Sequence, residues 1–269
     1  MTLLLQVSDP HFGTERPPAV AALEALVREQ RPDVLLLSGD ITQRATRAQF
    51  AAARAFVDRL RVPVVLAVPG NHDIPLFNLP ARLLWPYAGF VRAFGPELEP
   101  SFENDELLVL ALNTTRPWRH VDGELSAAQV ERVARRVAQA SPAQVRLVVV
   151  HQPVAVTRPQ DAHNLLHGRE AAQARWREAG VDAVLGGHIH LPFVVPWASA
   201  DGAPSRPMWA VQAGTALSHR VRAEAGNSVN LIRVGGGAPG ERRLRVERWD
   251  HQPETERFAC VAQHALLGG

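Results

Sequence analysis

The sequence predicts a layered α/β fold, and three observations support this prediction. Six short apolar runs, rich in valine and leucine, each end in a cluster of polar residues, as buried strands do. Alanine- and arginine-rich stretches with helical spacing lie between several of these runs. Hydrophobic residues make up 46% and charged residues 21% of the 269, close to a typical globular domain, which excludes wholesale disorder. Alternating strand and helix patterns favour helices packed on sheets.

The predicted elements of this fold follow one another along the chain. Strands are predicted at residues 3–7, 34–37, 62–68, 107–112, 145–150 and 181–185. Helices are predicted at residues 17–29, 45–59, 126–140 and 169–179. Ser126 suits the N-cap of the third helix, because its hydroxyl can accept a hydrogen bond from a free backbone N–H. Gly180 suits the residue that ends the fourth helix in a left-handed conformation.

Two parts of the chain interrupt the alternation. Residues 74–100 are rich in proline and aromatic side chains, which predicts broken helix and loop. After Gly187 the pattern turns to β structure without a further helix: a loop at 196–207, strands at 208–212, 229–234 and 244–249, and a turn at 235–240. No linker or repeat is visible, so we expect one domain over residues 1–269, with motifs in 1–190, a β-rich completion at 191–250 and a peripheral tail at 251–269.

Composition excludes several classes of protein. Cys260 is the only cysteine, which excludes a disulfide framework and a cysteine-based metal cage. All 29 basic residues are arginine and the net charge is only +2, so we expect the arginine clusters to be solvated faces rather than a nucleic-acid surface. No apolar run reaches the roughly 20 residues of a membrane span, and the apolar start at 1–7 is too short for a signal peptide. We therefore expect a cytoplasmic protein without a membrane partner.

Polar side chains that can bind metals follow five of the predicted strands. In chain order they are Asp9 and His11, then Asp40, then Asn71, His72 and Asp73, then His151, and finally His188 and His190. Ligands of open α/β sheets bind outside the carboxyl ends of the strands, so we expect these side chains to share one rim. A single histidine at a strand end is usually structural, but the whole set indicates a functional site.

The residue types at this rim indicate which metals fit. Carboxylate and amide oxygens mixed with imidazole nitrogens, without thiolate, suit Mn, Fe, Co, Ni or Zn, whereas Ca²⁺ prefers oxygen alone. Asp40 is the natural bridge between two ions, because its carboxylate has two oxygens while an imidazole has one free nitrogen. Two dications outweigh the charges of Asp9, Asp40 and a bound hydroxide, which favours an anionic substrate. A metal-bound hydroxide can attack phosphorus in line.

The motifs Asp-x-His, Gly-Asp, Gly-Asn-His-Asp, His and Gly-His-x-His, in this order over residues 1–190, closely resemble those of the calcineurin-like metallophosphoesterases. The resemblance implies a four-layer α-β-β-α sandwich of two mixed sheets flanked by helices, with the β-rich last third filling the second sheet. It also implies two divalent or mixed-valence first-row ions, with Mn, Fe or Zn favoured. One ion would be held by Asp9, His11, Asp40 and His190, and the other by Asp40, Asn71, His151 and His188.

His72 is the candidate proton donor. The resemblance implies that it is not a metal ligand, and a histidine beside a leaving alkoxide can supply the proton that the alkoxide needs. Asp73 is expected to orient the His72 imidazole, as carboxylates do for other catalytic histidines. The alternative is that His72 only supports the ligands or packs.

Four further residues are candidates for substrate binding. Asn113 follows a predicted strand and either lines the pocket or caps a turn. Trp85 lies in residues 74–100, which are expected to form one pocket wall; it either stacks on a base or packs the loop onto the sheet. His219 and Arg220 follow a late strand, and an arginine there suits a phosphate oxygen.

The Gly-Asn-His-Asp form resembles class III cyclic-nucleotide phosphodiesterases and glycerophosphodiesterases, so the predicted function is hydrolysis of a small phosphodiester, with cyclic nucleotides as the first candidate. The alternatives are a nuclease or other nucleic-acid-processing enzyme, a broad-specificity phosphomonoesterase, and a metal-stabilised interaction scaffold. Nucleic acid is a less favoured partner than a small ester. The oligomeric state is open, and a homodimer is compatible with the sequence.

Overall fold

The computed structural model describes residues 1–198, 207–235 and 241–268. Its strands are β1 Thr2–Val7, β2 Val34–Ser38, β3 Val64–Val68, β4 Ser101–Glu103, β5 Leu107–Ala111, β6 Val145–Val149, β7 Ala183–Gly186, β8 Phe193–Pro196, β9 Trp209–Gln212, β10 Ser228–Val234, β11 Leu244–Gln252 and β12 Arg257–Leu267. Its helices are α1 Pro17–Gln30, α2 Arg47–Leu60, α3 Leu79–Leu84, α4 Ala88–Phe94, α5 Ala127–Ala138 and α6 Arg169–Ala179. The predicted turn at 235–240 and most of the predicted loop at 196–207 lie outside the described residues.

The strands form two six-stranded mixed sheets. The first has the order β12-β11-β10-β1-β2-β3, and the second the order β4-β5-β6-β7-β9-β8. Strands β1, β2 and β3 run parallel, as do β5, β6, β7 and β9, while the remaining pairs are antiparallel. One apolar cluster lies between the sheets, and two others lie under α1 and α2 and under α5 and α6. The predicted four-layer sandwich is therefore confirmed.

The predicted helix ends are confirmed where their chemistry is local. The Ser126 hydroxyl accepts a hydrogen bond from the backbone N–H of Gln129, and the Gln129 side chain accepts one from Ser126 in return. Gly180 adopts a left-handed conformation after α6. Residues 74–100 contain the two short helices α3 and α4, as expected of broken helix and loop.

The β-rich last part of the chain corrects the prediction in three respects. Strands β10, β11 and β12 extend the first sheet, because β10 pairs antiparallel with the central strand β1; only β8 and β9 join the second sheet. The expected tail contains β12, an edge strand that pairs with β11 and buries Phe258 and Leu266. Strands β4 and β8 were not predicted from the sequence. No helix of the described residues is long and apolar enough to cross a membrane.

Candidate metal centre

The predicted ligands lie in loops whose backbone is unusual. Asp9, His11, Asp40, His188 and His190 all have φ between 45° and 75°. This left-handed region is costly for residues other than glycine, and only nine such residues occur in the described part of the chain. Backbone strain of this kind concentrates at functional sites, where the surrounding structure holds it in place. Five of the nine strained residues are predicted metal ligands.

One cluster of donor atoms is formed by Asp9, His11 and His190. The Nε2 atoms of His11 and His190 lie 3.1 Å apart. Oδ1 of Asp9 lies 3.4 Å from Nε2 of His190 and 3.9 Å from Nε2 of His11. Oδ2 of Asp9 accepts hydrogen bonds from the Ser8 hydroxyl (2.5 Å) and the His188 N–H (2.9 Å), which leaves Oδ1 buried without a partner.

A second cluster is formed by Asp40, His151 and His188, with Asn71 beside it. Nε2 of His151 lies 3.3 Å from Oδ1 of Asp40 and 3.3 Å from Oδ1 of Asn71. The other oxygen of Asp40, Oδ2, lies 3.8 Å from Nε2 of His11 in the first cluster. Asp40 therefore lies between the two clusters with one oxygen toward each.

Backbone carbonyls orient two of the imidazoles. Nδ1 of His151 donates to the Ser38 carbonyl at 2.9 Å, and Nδ1 of His190 donates to the Arg220 carbonyl at 2.6 Å. In both rings Nε2 is then the atom turned toward the carboxylates, as in metal-binding histidines whose second nitrogen is held by a hydrogen bond. Both contacts are supplied by residues that the sequence analysis did not assign to this role.

The buried atoms without partners fit a metal centre. Oδ1 of Asp9 and Nδ1 of His188 are buried and make no hydrogen bond within the described residues. A buried polar atom without a partner is rare in a folded protein and calls for an explanation such as a bound ion. The donors around these atoms are carboxylate, amide and imidazole, which suit borderline first-row ions. The residues present therefore fit two ions.

The site is electrostatically prepared for cations. Burial opposes ionisation of Asp9, but the neighbouring His190 outweighs it and lowers the pKa of Asp9 to about 2. Burial likewise opposes ionisation of Asp40, yet His151 holds its pKa well below the usual range. Burial lowers the pKa of His11 to about 3 and that of His188 to about 4, so both are neutral near pH 7, which is the form that binds metal.

His72 lies at the edge of this centre. Its backbone N–H donates to Oδ1 of Asp40 at 2.8 Å, and its ring is 4.9 Å from that of His11 between centroids. Nδ1 of His72 donates to the carbonyl of Gln43 at 2.9 Å. Nε2 faces outward and accepts from the Arg220 guanidinium at 3.1 Å. The residue that orients His72 is thus Gln43, which the sequence did not single out.

The expectation that Asp73 orients His72 is corrected by the structure. Oδ2 of Asp73 accepts from the N–H groups of Gly70 (2.9 Å) and Ile41 (3.0 Å), and Oδ1 accepts from the N–H and hydroxyl of Thr42 (2.7 and 2.8 Å). Burial and the charge of Asp40 raise the pKa of Asp73 to about 7, against these hydrogen bonds. Asp73 joins the loop that carries Asp40 to the loop that carries Asn71.

Comparisons with known proteins agree with this geometry. A model of the calcineurin-like phosphoesterase family matches residues 2–192. The chain belongs to the calcineurin-like phosphoesterase family. It is 30% identical over 209 residues to a probable cyclic nucleotide phosphodiesterase of Synechococcus, covering 72% of this chain and 76% of the relative. It is 26% identical over 206 residues to the 3′,5′-cyclic adenosine monophosphate phosphodiesterase CpdA of Escherichia coli K12, covering 72% and 71%.

A solved structure shows the same fold as this calcineurin-like phosphoesterase. The dimetal phosphatase of Danio rerio is 15% identical, has a TM-score of 0.66, and covers 99% of this chain and 98% of its own. Family membership and the phosphodiesterase relatives make the chain a metal-dependent phosphoric ester hydrolase. The Asp and His clusters supply candidate residues for two ions.

The four candidates for substrate binding have different outcomes in this phosphoesterase. Arg220 is exposed and contacts His72 and the Gln43 side chain, each at 3.1 Å, so it lies at the centre. His219 is exposed next to it. Oδ1 of Asn113 accepts from the N–H (3.0 Å) and hydroxyl (2.7 Å) of Thr115, so Asn113 caps a turn rather than lining a pocket. Trp85 follows α3, is 65% exposed and lies outside the cleft beside His72.

That cleft has walls that only the structure identifies. It is lined by residues from three loops: Gln43, Arg44, Asn71, His72, Ile74, Leu76 and His120. Gln43 and Arg44 follow Asp40 in the chain, and no sequence motif marks them. Ile74 and Leu76 belong to residues 74–100, which were expected to form a pocket wall.

Proposed function

We propose that this chain hydrolyses a small phosphodiester, with 3′,5′-cyclic nucleotides as the first candidate, at a centre of two first-row metal ions. The observation that supports it most directly is the position of Asp40, whose two oxygens are directed at separate clusters of donors. Asp9, His11, Asp40 and His190 would hold one ion, and Asp40, Asn71, His151 and His188 the other. Two such ions supply charge neutralisation at the phosphate and a water that is acidic enough to ionise near neutral pH.

His72 and Arg220 complete the proposed site. Nε2 of His72 faces the cleft while Nδ1 is fixed on the Gln43 carbonyl, so the ring is held in position to give a proton to a leaving oxygen. The Arg220 guanidinium next to it can bind a non-bridging phosphate oxygen, for which two of its N–H groups are geometrically suited. A substrate phosphate would take the place that the His72 ring now occupies as the partner of Arg220.

The substrate class is proposed from the relatives and the size of the cleft. The Synechococcus relative is described as a probable cyclic nucleotide phosphodiesterase, and CpdA as a cyclic AMP phosphodiesterase. The cleft beside His72 is small and closed on one side by Ile74 and Leu76, which suits a compact ester better than a long polymer. We therefore rank cyclic nucleotides first and glycerophosphodiesters second.

A substrate panel tests this proposal. Purified protein with added Mn²⁺ is assayed on cyclic AMP, 2′,3′-cyclic nucleotides, glycerophosphodiesters, monoesters and single-stranded DNA, and kcat/KM ranks them. We expect the highest kcat/KM for a cyclic nucleotide and no turnover by Asp40→Asn. His163→Ala, which changes an exposed histidine outside both clusters, is the matched control and should behave as the native chain. A higher kcat/KM for monoesters or DNA would overturn the substrate assignment, and inactivity toward activated diesters would overturn the enzyme proposal.

A further inference from the structure

Helix α3 has its polar and apolar residues on unexpected sides. Its one buried side chain is Arg82, whose guanidinium donates to the carbonyls of Pro75 (3.2 Å), Pro117 (2.7 Å) and Arg119 (2.6 Å). The opposite side exposes Leu79, Leu83 and Leu84, each to more than 60%. A soluble helix normally turns its apolar side inward, so the leucines of α3 require a separate explanation.

The exposed leucines are part of a larger apolar surface. Phe77 and Trp85 flank α3 and are 82% and 65% exposed. Trp118, 70% exposed, lies between Pro117 and Arg119, whose carbonyls bind Arg82, so it is held next to α3. We call Phe77, Leu79, Leu83, Leu84, Trp85 and Trp118, together with the arginines Arg44, Arg47 and Arg92 described next, the α3 surface.

The charge around these side chains has one sign. Residues 43–57, 74–95 and 114–121 contain none of the 27 acidic residues of the chain. The Arg44 guanidinium lies 5.7 Å from the Phe77 ring centroid, and Arg47 and Arg92 line a groove between α2 and α4 that has Phe50 and Gly89 in its floor. In the described part of the chain, these three arginines form no ion pair with an acidic group.

Apolar and cationic groups together favour one kind of partner. A symmetric contact with a second copy would set the same patch against itself, arginines included, with no acidic residue in these segments to neutralise them. A single-stranded nucleic acid would use the aromatic rings and arginines but not the leucines, which cannot stack on bases. The surface of an anionic bilayer has both an apolar layer for Leu and Trp and negative headgroups for arginine.

We propose that the α3 surface docks this protein on anionic membranes as a peripheral protein, with its leucines and tryptophans in the interface. Arg44 belongs both to this surface and to the cleft beside His72, so docking would bring the metal centre close to the headgroups. This proposal departs from the sequence-based expectation of a protein without a membrane partner. A bilayer contact of this kind needs no spanning helix.

Vesicle flotation tests the proposal with the full chain. The vesicles are phosphatidylcholine alone or phosphatidylcholine with about one third phosphatidylglycerol, at low and at high salt. We expect binding to the anionic vesicles that weakens as salt rises, because added salt screens the arginine–headgroup attraction. Leu83→Ser with Leu84→Ser should lower the partition coefficient by about tenfold or more, since two apolar side chains lose their burial. Val261→Ser, which changes an exposed valine on β12, is the matched control and should bind as the native chain does.

A second variant and two controls keep the result clear. Arg47→Gln with Arg92→Gln should remove the preference for anionic over neutral vesicles. The leucine variant should keep its melting temperature and its turnover of bis(p-nitrophenyl) phosphate, so a failed substrate assignment and a failed docking proposal can be told apart. Absence of native binding to anionic vesicles overturns the proposal. So does a native dimer that the leucine variant converts to monomers without vesicle binding, or binding of an oligothymidylate that vesicles do not displace.

Discussion

Replacement of Asp73 by asparagine separates the structural role of this residue from the role expected from the sequence. In the structure its carboxylate accepts four hydrogen bonds, three of them from the buried backbone N–H groups of Gly70, Ile41 and Thr42. An asparagine keeps one acceptor oxygen and places an NH₂ group against the others. One or two buried N–H groups then lose their acceptor.

The magnitude follows from the number of donors left without a partner. A buried donor without an acceptor costs about 1–3 kcal/mol, so we expect Asp73→Asn to lower the free energy of unfolding by roughly 3 kcal/mol. For a chain of this length that is a fall in Tm of roughly 6–12 °C. Because Asp73 joins the loops of Asp40 and Asn71, we also expect a lower metal content at limiting Mn²⁺.

Urea denaturation, thermal unfolding and elemental analysis measure these effects. Asp58→Asn is the matched control, since Asp58 is exposed on α2 and forms only a surface ion pair with Arg54; we expect a change within about 0.5 kcal/mol. If Asp73→Asn instead unfolds like the native chain and keeps its metal but loses turnover, our structural reasoning is refuted, and Asp73 acts on His72 as the sequence suggested.

Three further predictions follow from the site. His72→Ala should keep its metal content and lower kcat by roughly 10²–10⁴-fold for poor leaving groups, with a smaller loss for p-nitrophenolate; equal losses for both would remove the proton-donor role. Arg220→Gln should raise KM for diesters by roughly tenfold or more, because a charged hydrogen bond to phosphate is lost; an unchanged KM in steady-state assays would contradict phosphate binding. Arg82→Gln should leave three carbonyls short of donors and speed hydrogen exchange in residues 75–87, with exchange in β1 as the internal control; equal exchange in both would show that Arg82 does not hold this segment.

The strands and the metal ligands could be predicted because their signals are local. A buried strand must be a continuous apolar run, and the residue after it stands at the sheet edge wherever the strand lies. That is why Asp9, Asp40 and His151 could be named before their distances were known. The N-cap at Ser126 was predictable for the same reason, since its hydrogen bond spans only three residues.

The remaining features depend on which distant segments meet. The partner of Asp73 is a loop more than thirty residues earlier in the chain, and the group that orients His72 is a backbone carbonyl, which every residue has. The pairing of β10 with β1, which brings the last strands into the first sheet, joins segments more than 200 residues apart.

The sequence by itself determined which side chains carry the chemistry and at which ends of the strands they stand, because apolar runs and the polar residues that follow them are properties of short segments. The tertiary structure alone decided which groups hold those side chains in place and why α3 exposes its leucines. Hydrogen-bond partners and the burial of Arg82 are set by chain segments far apart in sequence, and no local pattern records them.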